Sequence, residues 1–319
     1  MSAPPSSADA AAPPGRMARF PHHIVVFLAP ATILYTLFMI YPLLDSIRMS
    51  LYTTDGAGEY HFNGLANYLA MFTDPDWSAS FWNALKNNLL FFTIHMFVQN
   101  PIGILLAALL SLPRLRGRSS YRTLIFMPTM LSVVIIGFIW QLILSPLWGV
   151  SESLLGFVGL ESLFQPWLGQ ESTTLITLSL ISVWQFVGIP MMLIYAAMLN
   201  IPHELVEVAT IDGANHRQVF WHVKLPLILP TIAMVSILTF VANFNAFDLI
   251  YSVKGALAGP NFSSDILGTY FYRTFFGFQL QLGNPTMGAT VATLMFFVIL
   301  VGVLFYLFFL QRKLRRYAL

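Results

Sequence analysis

The sequence predicts an all-α membrane protein with six transmembrane helices. Hydrophobic residues make up 57% of the 319 residues and charged residues only 9%, whereas a soluble domain carries about 25% charged residues. The apolar residues are grouped into six runs, and each run is long enough to cross a bilayer as a helix. There is no cysteine, which excludes a disulfide framework and thiolate metal sites.

The chain consists of a tail followed by a membrane domain. Residues 1–21 are rich in Ala, Pro and Ser and predict a disordered tail, and residues 22–319 form the membrane domain. The first apolar run is too long for a signal-peptide core and has no small-residue cleavage site, so we expect it to remain as an anchor. The predicted spans are 24–44, 84–111, 123–144, 174–198, 227–253 and 288–310.

The orientation follows from the basic residues that flank the spans. Twelve of the 16 Lys and Arg residues lie before the first span, in the segments 112–122 and 199–226, and after the last span. Because Lys and Arg are enriched in cytoplasmic loops, these segments are predicted to be cytoplasmic. Both termini and the loop 199–226 then lie inside, and the loops 45–83, 145–173 and 254–287 lie outside.

The sequence contains no motif of an enzyme. It has no G-x-x-x-x-G-K-[ST] phosphate loop, no His-x-x-x-His pair and no nucleophile elbow. It also lacks a basic patch interleaved with aromatic residues, as nucleic-acid binding would require. We therefore expect no catalytic residue, no metal site and no nucleic-acid partner, and any ATP hydrolysis must take place on another chain.

A long polar interval, Ile201 to Pro230, interrupts the apolar chain on the basic side. Its residues predict a short helix that starts near Pro202, a proline that breaks the helix at each end of the interval, and a turn at Gly213. The interval carries Glu207-Val208-Ala209, then Gly213 after three residues, then Val223-Lys224-Leu225-Pro226 after nine more.

This pattern resembles the signature loop of the inner-membrane permeases of binding-protein-dependent ABC importers. The family pattern is Glu-Ala-Ala, three residues, Gly, nine residues and Ile-x-Leu-Pro, so Val208 replaces Ala and Val223 replaces Ile. The flanking Ile-Pro and Leu-Pro-x-x-x-Pro are similar to the carbohydrate-type permeases, which include those for maltose and glycerol phosphate. The resemblance covers the chain from about Ile24 to its end.

The resemblance implies a type I ABC importer transmembrane domain in the bacterial inner membrane. Its partners would be a second homologous permease subunit, two ATP-binding subunits that hold ATP and Mg, an extracytoplasmic solute-binding protein and membrane lipid, with no cofactor in this chain. The loop 199–226 would hold a coupling helix that docks into a cleft of an ATPase subunit. On the residues alone, a solvated amphipathic helix with its own caps stays open. The coupling residues are Glu204, Glu207, Ala209, Asp212, Gly213, Leu225 and Pro226.

The fifth span contains polar residues that are costly at membrane depth unless they pair or line a cavity. Asn243 and Phe247 are four residues apart and share a helix face. An amide beside an aromatic ring suits sugar recognition, because the amide bonds hydroxyls while the ring packs against C–H groups. Similar permeases carry an Asn-Phe-Asn stretch here that partly lines the sugar cavity, so Thr239, Asn243, Asn245 and Phe247 are candidate substrate ligands. The alternative is that the amides bridge helices.

The fourth span offers a second candidate set. Trp184 lies 17 residues before Ile201, a spacing shared with sugar permeases in which residues around that Trp contact substrate. The alternatives are packing for the Trp and a helix kink for the Gly-x-Pro that starts at Gly188. His95, Gln99 and Asn100 of the second span are expected to join helices. The candidates in span four are Ser182, Trp184, Gln185 and Gly188.

Together these features predict a permease subunit of an ATP-driven importer for a sugar or oligosaccharide. A glycerol-phosphate or other polyol importer is the first alternative, although the presumed cavity has no basic residue. An ion-coupled secondary transporter is the second, with Asp248 as the coupling group. Otherwise Asp248 is expected to reach the interface or to pair with Arg273 or Lys254.

Overall fold

The computed structural model describes residues 22–55, 58–112, 115–148, 150–279 and 281–310. The chain divides into two units, residues 1–45 and residues 46–319. The predicted disordered tail, residues 1–21, lies outside the described residues, as does the basic segment after the last span, residues 311–319.

The described part of the first unit is helical throughout. Helix α1 (His22–Tyr35) continues through a π-helical turn (Thr36–Ile40) into α2 (Tyr41–Met49), whose last residues already belong to the second unit. Residues Val25–Met49 form one helix long and apolar enough to span a membrane. This helix overlaps the predicted first span.

The second unit is built mainly from helices, with two short antiparallel strand pairs, β1–β2 and β3–β4. Two short segments are 3₁₀-helical turns, Met127–Met130 and Glu161–Leu163. Three are π-helical turns, His95–Gln99, Phe220–Lys224 and Tyr306–Leu310, the last of which ends the described chain. The strands and helices are β1 (Tyr52–Thr54), β2 (Tyr60–Phe62), α3 (Ala66–Thr73), α4 (Pro75–Ile94), α5 (Asn100–Leu110), α6 (Arg118–Phe126), α7 (Val133–Ile143), α8 (Val150–Phe157), α9 (Glu171–Phe186), α10 (Gly188–Leu199), α11 (His203–Ile211), α12 (His216–Val219), α13 (Leu225–Phe244), α14 (Asp248–Lys254), α15 (Leu267–Phe276), β3 (Gly277–Phe278), β4 (Gln281–Leu282) and α16 (Pro285–Phe305).

Between four and six elements of the described chain are long and apolar enough to span a membrane. Four are single helices: Val25–Met49, Pro75–Leu110, His216–Lys254 and Pro285–Phe308. Two more are bent pairs, Arg118–Met130 with Val133–Ile143 and Glu171–Phe186 with Gly188–Leu199. Each overlaps one predicted span, and the six-span count and the cytoplasmic termini stay predictions.

The bends in these two pairs have local causes. The first pair turns by 95°, because Leu131 and Ser132 leave the helical conformation with ψ angles of 147° and 132°. The second pair bends by 41° at Val187. Pro190 has no N–H to donate to the carbonyl of Phe186, so the helix is weakened at that turn.

The prolines at the end of the polar interval do not break the helix, contrary to the sequence prediction. The chain is helical from His216 to Phe244, with Pro226 in the first turn of α13 and Pro230 inside it. The π-helical turn before Pro226 bonds Leu225 N–H to the Phe220 carbonyl. A proline is tolerated directly after this change in hydrogen-bond spacing, because it lies in the first turn of α13, where its missing N–H is not needed.

Three clusters of buried apolar side chains hold the second unit together. The first joins α4, α7, α9 and α14 around Leu178 and Ile250. The second joins α3, α4, α13, α15 and α16 around Phe244. The third joins α5, α10 and α13 around Met191 and Ile194. Helices α4, α9, α10, α13 and α14 therefore share one interior, which is where the polar residues of spans two, four and five lie.

The segment 254–287, which we call the 254–287 loop, contains a buried ion pair. Arg273 donates to both carboxylate oxygens of Asp265, at 2.6 and 3.2 Å, and to the Ala256 carbonyl at 2.8 Å. Thr269 Oγ1 donates to Asp265 Oδ1 at 2.7 Å. Burial raises the pKa of Asp265, and the hydrogen bonds and charge of Arg273 act in the opposite direction. The expected pairing of Asp248 with Arg273 is thus wrong, because the Arg273 guanidinium is held by Asp265.

Candidate functional site

A cavity of about 540 Å³ lies between the π-helical turn of span two and helices α9, α10, α13 and α14. Its wall is mostly apolar, with a small number of polar groups, as in sites for small organic ligands. Five of the eight predicted substrate ligands are among the residues that line it: Ser182, Thr239, Asn243, Asn245 and Phe247.

The buried amide of Asn243 is the main polar group on the α13 wall. Its Nδ2 donates to the Thr239 carbonyl at 2.7 Å, within the same helix. Its Oδ1 is buried and has no hydrogen-bond partner in the described structure. Thr239 Oγ1 contacts Asn100 Oδ1 at 3.1 Å, between α13 and α5. The side chain of Thr239 therefore bridges two helices, whereas that of Asn243 has a buried acceptor without a partner among the described residues.

The second span contributes two lining residues, His95 and Gln99, that the sequence predicts only as helix contacts. His95 Nε2 lies 2.9 Å from Ser182 Oγ, and His95 Nδ1 lies 2.8 Å from the Phe91 carbonyl. Gln99 also lines the cavity, and its buried Oε1 has no partner within the described chain. His95 thus joins helices, as predicted, and also faces the cavity. The π-helical turn that directs His95 and Gln99 to this wall has no clear signal in the sequence.

A helix break shapes one end of the cavity. Helix α13 ends at Phe244, and α14 begins at Asp248. Asn245, in the break, is exposed, and its Nδ2 donates to the Val241 carbonyl at 2.9 Å. Asp248 is exposed at the first turn of α14 and lines the cavity. Among the described residues of the lining there is no Lys or Arg, so Asp248 is its one full charge.

Three predicted ligands of span four lie outside the lining of this cavity. Trp184 packs edge-on against Trp140, with ring centroids 5.5 Å apart. Gln185 is fully buried, and its Nε2 donates to the Leu131 carbonyl at 3.2 Å. At Gly188, a Cβ would lie 3.0 Å from Phe126 Cα, so α10 approaches α6 closely there. These positions favour packing for the three residues, and a substrate contact of theirs stays a prediction.

The second candidate site is α11 in the signature loop, residues 199–226. Pro202 is the N-cap of α11, and the helix ends at Ile211, followed by the C-cap Asp212 and then Gly213, whose φ is 85°. Ala214 N–H bonds back to the Ala209 carbonyl at 2.9 Å, which is a Schellman termination with glycine in the left-handed conformation. The predicted start and end of this helix are confirmed.

Helix α11 has no buried residue. Its two acids, Glu204 and Glu207, are exposed, as is Asp212 at its C-cap, and Ala209 is half-buried. Glu207 Oε1 lies 3.0 Å from His203 Nδ1, one turn earlier. The exposed large apolar residues of the helix are Leu205, Val208 and Ile211.

A groove of about 580 Å³ separates α11 from the helices behind it. Its wall comes from the end of α5, from α11, and from α12 with the π-helical turn that follows. Lys224 lines it and lies 3.5 Å, through its Nζ, from Ser111 Oγ. Leu225 and Pro226, which end the signature pattern, are half-buried where α13 begins.

Comparison with known proteins identifies this arrangement. Residues 99–316 match the family model described as "Binding-protein-dependent transport system inner membrane component". The chain belongs to this family. As a family member it is a multi-pass protein of the inner membrane, and the matched region includes the signature loop and all cavity-lining residues except Phe91 and His95.

Individual members of the family resemble the chain over most of its length. It is 33% identical to the "Probable ABC transporter permease protein YurN" of Bacillus subtilis (strain 168), over 83% of this chain and 89% of that protein. It is 30% identical to the "Lactose transport system permease protein LacF" of Rhizobium radiobacter, over 91% of this chain and 94% of that protein.

A solved structure has the same fold. It is a bacterial alginate ABC transporter in complex with an alginate pentasaccharide-bound periplasmic protein, and one of its chains superposes with a TM-score of 0.75. The match covers 89% of this chain and 92% of that chain, at 23% identity. The family member described here therefore has the fold of an ABC importer transmembrane domain.

Proposed function

We propose that the chain is the permease subunit of an ATP-driven ABC importer that translocates an uncharged sugar or oligosaccharide. An extracytoplasmic binding protein delivers the substrate, and ATP is hydrolysed on partner subunits. The single observation that carries the substrate class is the cavity of about 540 Å³, whose lining combines aromatic rings with amide and hydroxyl groups. The lactose permease of Rhizobium radiobacter, 30% identical, supports the same class.

The polar groups of the cavity fit the hydroxyls of a sugar. Asn243 Oδ1 and Gln99 Oε1 are buried acceptors without a partner in the described structure, and a buried polar atom that stays unpaired costs about 1–3 kcal/mol. A sugar hydroxyl supplies the missing donor when the two amide side chains turn toward the cavity that they line. Phe91, Phe186 and Phe247 offer apolar surface for the C–H groups of the sugar ring.

The charges of the cavity argue against a phosphorylated substrate. A phosphate group is bound in proteins by Arg, Lys or clustered N–H donors. The described lining provides Asp248 and no Lys or Arg, so an anionic ligand would meet repulsion. Glycerol phosphate is therefore the weaker alternative, and an uncharged polyol shares the chemistry of the sugar.

Helix α11 is the proposed contact with an ATP-binding subunit. Its exposed apolar residues offer surface that a second protein can bury, and the neighbouring Glu204, Glu207 and Asp212 can accept hydrogen bonds from that protein. Ala209 and Gly213 allow close approach of another backbone. In this arrangement a second permease subunit completes the membrane part, and ATP and Mg are held by the two ATP-binding subunits.

The experiment is a purification of the tagged chain from detergent-solubilised membranes, followed by mass spectrometry and by sugar uptake in reconstituted vesicles. We expect a second permease and an ATP-binding subunit to be recovered. Glu207→Lys should lose the ATP-binding subunit, while Glu59→Lys, the same charge change on the exposed β1–β2 hairpin, should retain it.

The cavity is tested in the same vesicles. Asn243→Ala should lower sugar uptake at least tenfold while the subunits still purify together, because it removes the buried acceptor. The matched control is Ser236→Ala on the same helix, because the Ser236 hydroxyl donates to the Ile232 carbonyl within that helix. Recovery of this chain alone, with uptake intact, would overturn the proposal and favour an ion-coupled secondary transporter with Asp248 as the coupling group.

A further inference from the structure

A row of four aromatic rings leads away from the cavity. Phe247, which lines the cavity, stacks on Tyr251 with centroids 4.8 Å apart and an interplanar angle of 26°. Tyr272 lies 5.3 Å from Phe247 and 4.8 Å from Tyr251, and Phe276 lies 5.0 Å beyond Tyr272. We call these four residues the aromatic row.

The row is a direct consequence of helical spacing. Phe247 is the N-cap of α14, and Tyr251 follows it by four residues. Tyr272 and Phe276 are also four residues apart, on α15. Residues at this spacing lie on one face of a helix, so each helix contributes two rings, and the packing of α14 near α15 joins them into one continuous surface.

Burial of apolar area does not account for the row. Within the described chain, none of its four members belongs to, or packs against, the three buried clusters of the second unit. Phe276 is 62% exposed, and Tyr251 and Tyr272 are half-buried. By contrast, Tyr270 on the same helix is 3% exposed, belongs to the second cluster and reaches the Met71 sulfur with its hydroxyl.

The row also carries polar groups along its edge. The Tyr251 hydroxyl donates to the Tyr272 hydroxyl at 3.4 Å. Since a phenol has one donor and two acceptor positions, this bond leaves the Tyr272 hydrogen and acceptor positions on both oxygens for other partners in the described structure. Flat apolar faces with hydroxyls at their edges are the surface that sugar rings match.

The cations nearest in sequence are held elsewhere. Arg273 is bound to Asp265, and its guanidinium lies over the Phe262 ring, 4.6 Å from the centroid. Lys254, at the end of α14, donates to the Leu168 carbonyl. Both cations are therefore engaged away from the row, which is continuous with a cavity whose described lining carries Asp248 and no Lys or Arg.

We propose that the aromatic row is an outer subsite for an uncharged oligosaccharide, which it binds by stacking sugar rings between the delivery site and the cavity. This inference rests on the proposed function and adds a ligand site to it. The subsite retains the sugar after the binding protein releases it and before the cavity accepts it. Its loss should let sugar escape outward while ATP hydrolysis continues.

The test uses the complete transporter, with its partner subunits and binding protein, in proteoliposomes. From lactose, maltose, maltotriose and arabinotriose, the longest sugar that the wild type imports is the probe. The measured quantity is sugar imported per ATP hydrolysed. Tyr272→Leu and Phe276→Leu should each lower it about three- to tenfold, since an aromatic contact contributes about 0.5–1.5 kcal/mol, with the hydrolysis rate unchanged.

The matched control is Phe62→Leu, which replaces a phenylalanine of similar exposure, 71%, on β2. Tyr272→Phe separates the ring from the hydroxyl and should retain most of the coupling ratio. An unchanged ratio in both leucine variants would overturn the subsite. So would loss of the second permease from the Tyr272→Leu complex, because the row would then be a subunit contact. In either case Asn243→Ala still tests the proposed function separately.

Discussion

The signature loop and the 254–287 loop differ in how they satisfy their polar and apolar groups. In the 254–287 loop, the charges of Asp265 and Arg273 are paired and buried at 1% and 6% side-chain exposure. Asn87 Nδ2 also ties it to α4 through the Asp265 carbonyl, at 2.9 Å. In the signature loop, α11 buries no residue, and Ile211 is 83% exposed.

This difference indicates that the ion pair of the 254–287 loop stabilises the fold, whereas α11 is available for assembly. A segment whose groups are satisfied by its own chain needs no partner, and its substitutions should change stability. A segment that leaves apolar and charged side chains exposed has a surface available for a second protein. We therefore expect changes at the buried ion pair of the 254–287 loop to lower stability, and changes in α11 to lower the recovery of the ATP-binding subunit.

The largest effect on stability is expected for Arg273→Met. Removing one partner of a buried ion pair leaves an uncompensated charge and costs about 3–5 kcal/mol. Here Asp265 would retain only the hydrogen bond from Thr269 among its side-chain partners in the described structure. Thermal unfolding of the purified complex in detergent should show a clearly lower Tm. Lys86→Met, which removes an exposed cation on α4, is the control.

Arg273→Met also tests whether the ion pair affects stability alone or assembly as well. If the folded fraction of Arg273→Met still recovers the ATP-binding subunit in normal ratio, the effect is confined to stability. An Arg273→Met complex as stable as the wild type would contradict the structural role of the 254–287 loop.

The signature loop was predictable because its signals are local. Pro202 and Gly213 mark the ends of α11 through backbone preferences that need no tertiary contact, and the spacing of the motif lies in the sequence itself. The helix through Pro226 was not predicted, because a proline is read as a break unless the preceding π-helical turn is known.

The cavity was predictable only in part, because some of its residues are placed by helix breaks and π-helical turns that have no clear signal in the sequence. Asn243 and Phe247 both line the cavity, but the prediction that they share a helix face is wrong, because α13 ends at Phe244 and Phe247 is the N-cap of α14. Gln99 was assigned to helix contacts, since its direction depends on the π-helical turn of span two. The sequence does not indicate Asp265 as the partner of Arg273, because this pairing is determined by the tertiary fold of the loop.

A smaller effect is expected for Gly213→Ala. The φ of Gly213 is 85°, and a Cβ there would meet no atom within 4 Å, so the cost is confined to the backbone and is about 1–2 kcal/mol. Because the strain falls on the end of α11, we expect reduced recovery of the ATP-binding subunit with only a small change in Tm. Co-purification measured by quantitative gel densitometry checks the first expectation.

A closely matched control exists in the same unit. Gly58 has the same φ of 85° and the same open surroundings, so Gly58→Ala imposes equal backbone strain outside the signature loop. Its complex should retain the ATP-binding subunit at the wild-type ratio. Equal losses in both variants would show that strain alone, rather than the place of Gly213 at the end of α11, reduces assembly.

The smallest effect on stability and the clearest effect on assembly are expected for Ile211→Ser. The side chain is 83% exposed, and surface substitutions of this kind change stability by no more than about 0.5 kcal/mol. If α11 docks on an ATP-binding subunit, the same side chain becomes buried there and its loss weakens the complex. Leu147→Ser, at a residue 92% exposed, removes a similar apolar group elsewhere. Dissociation of the ATP-binding subunit from the Ile211→Ser complex alone, at unchanged Tm, would place the partner surface on α11, whereas equal behaviour of the two variants would remove the apolar face of α11 from that surface.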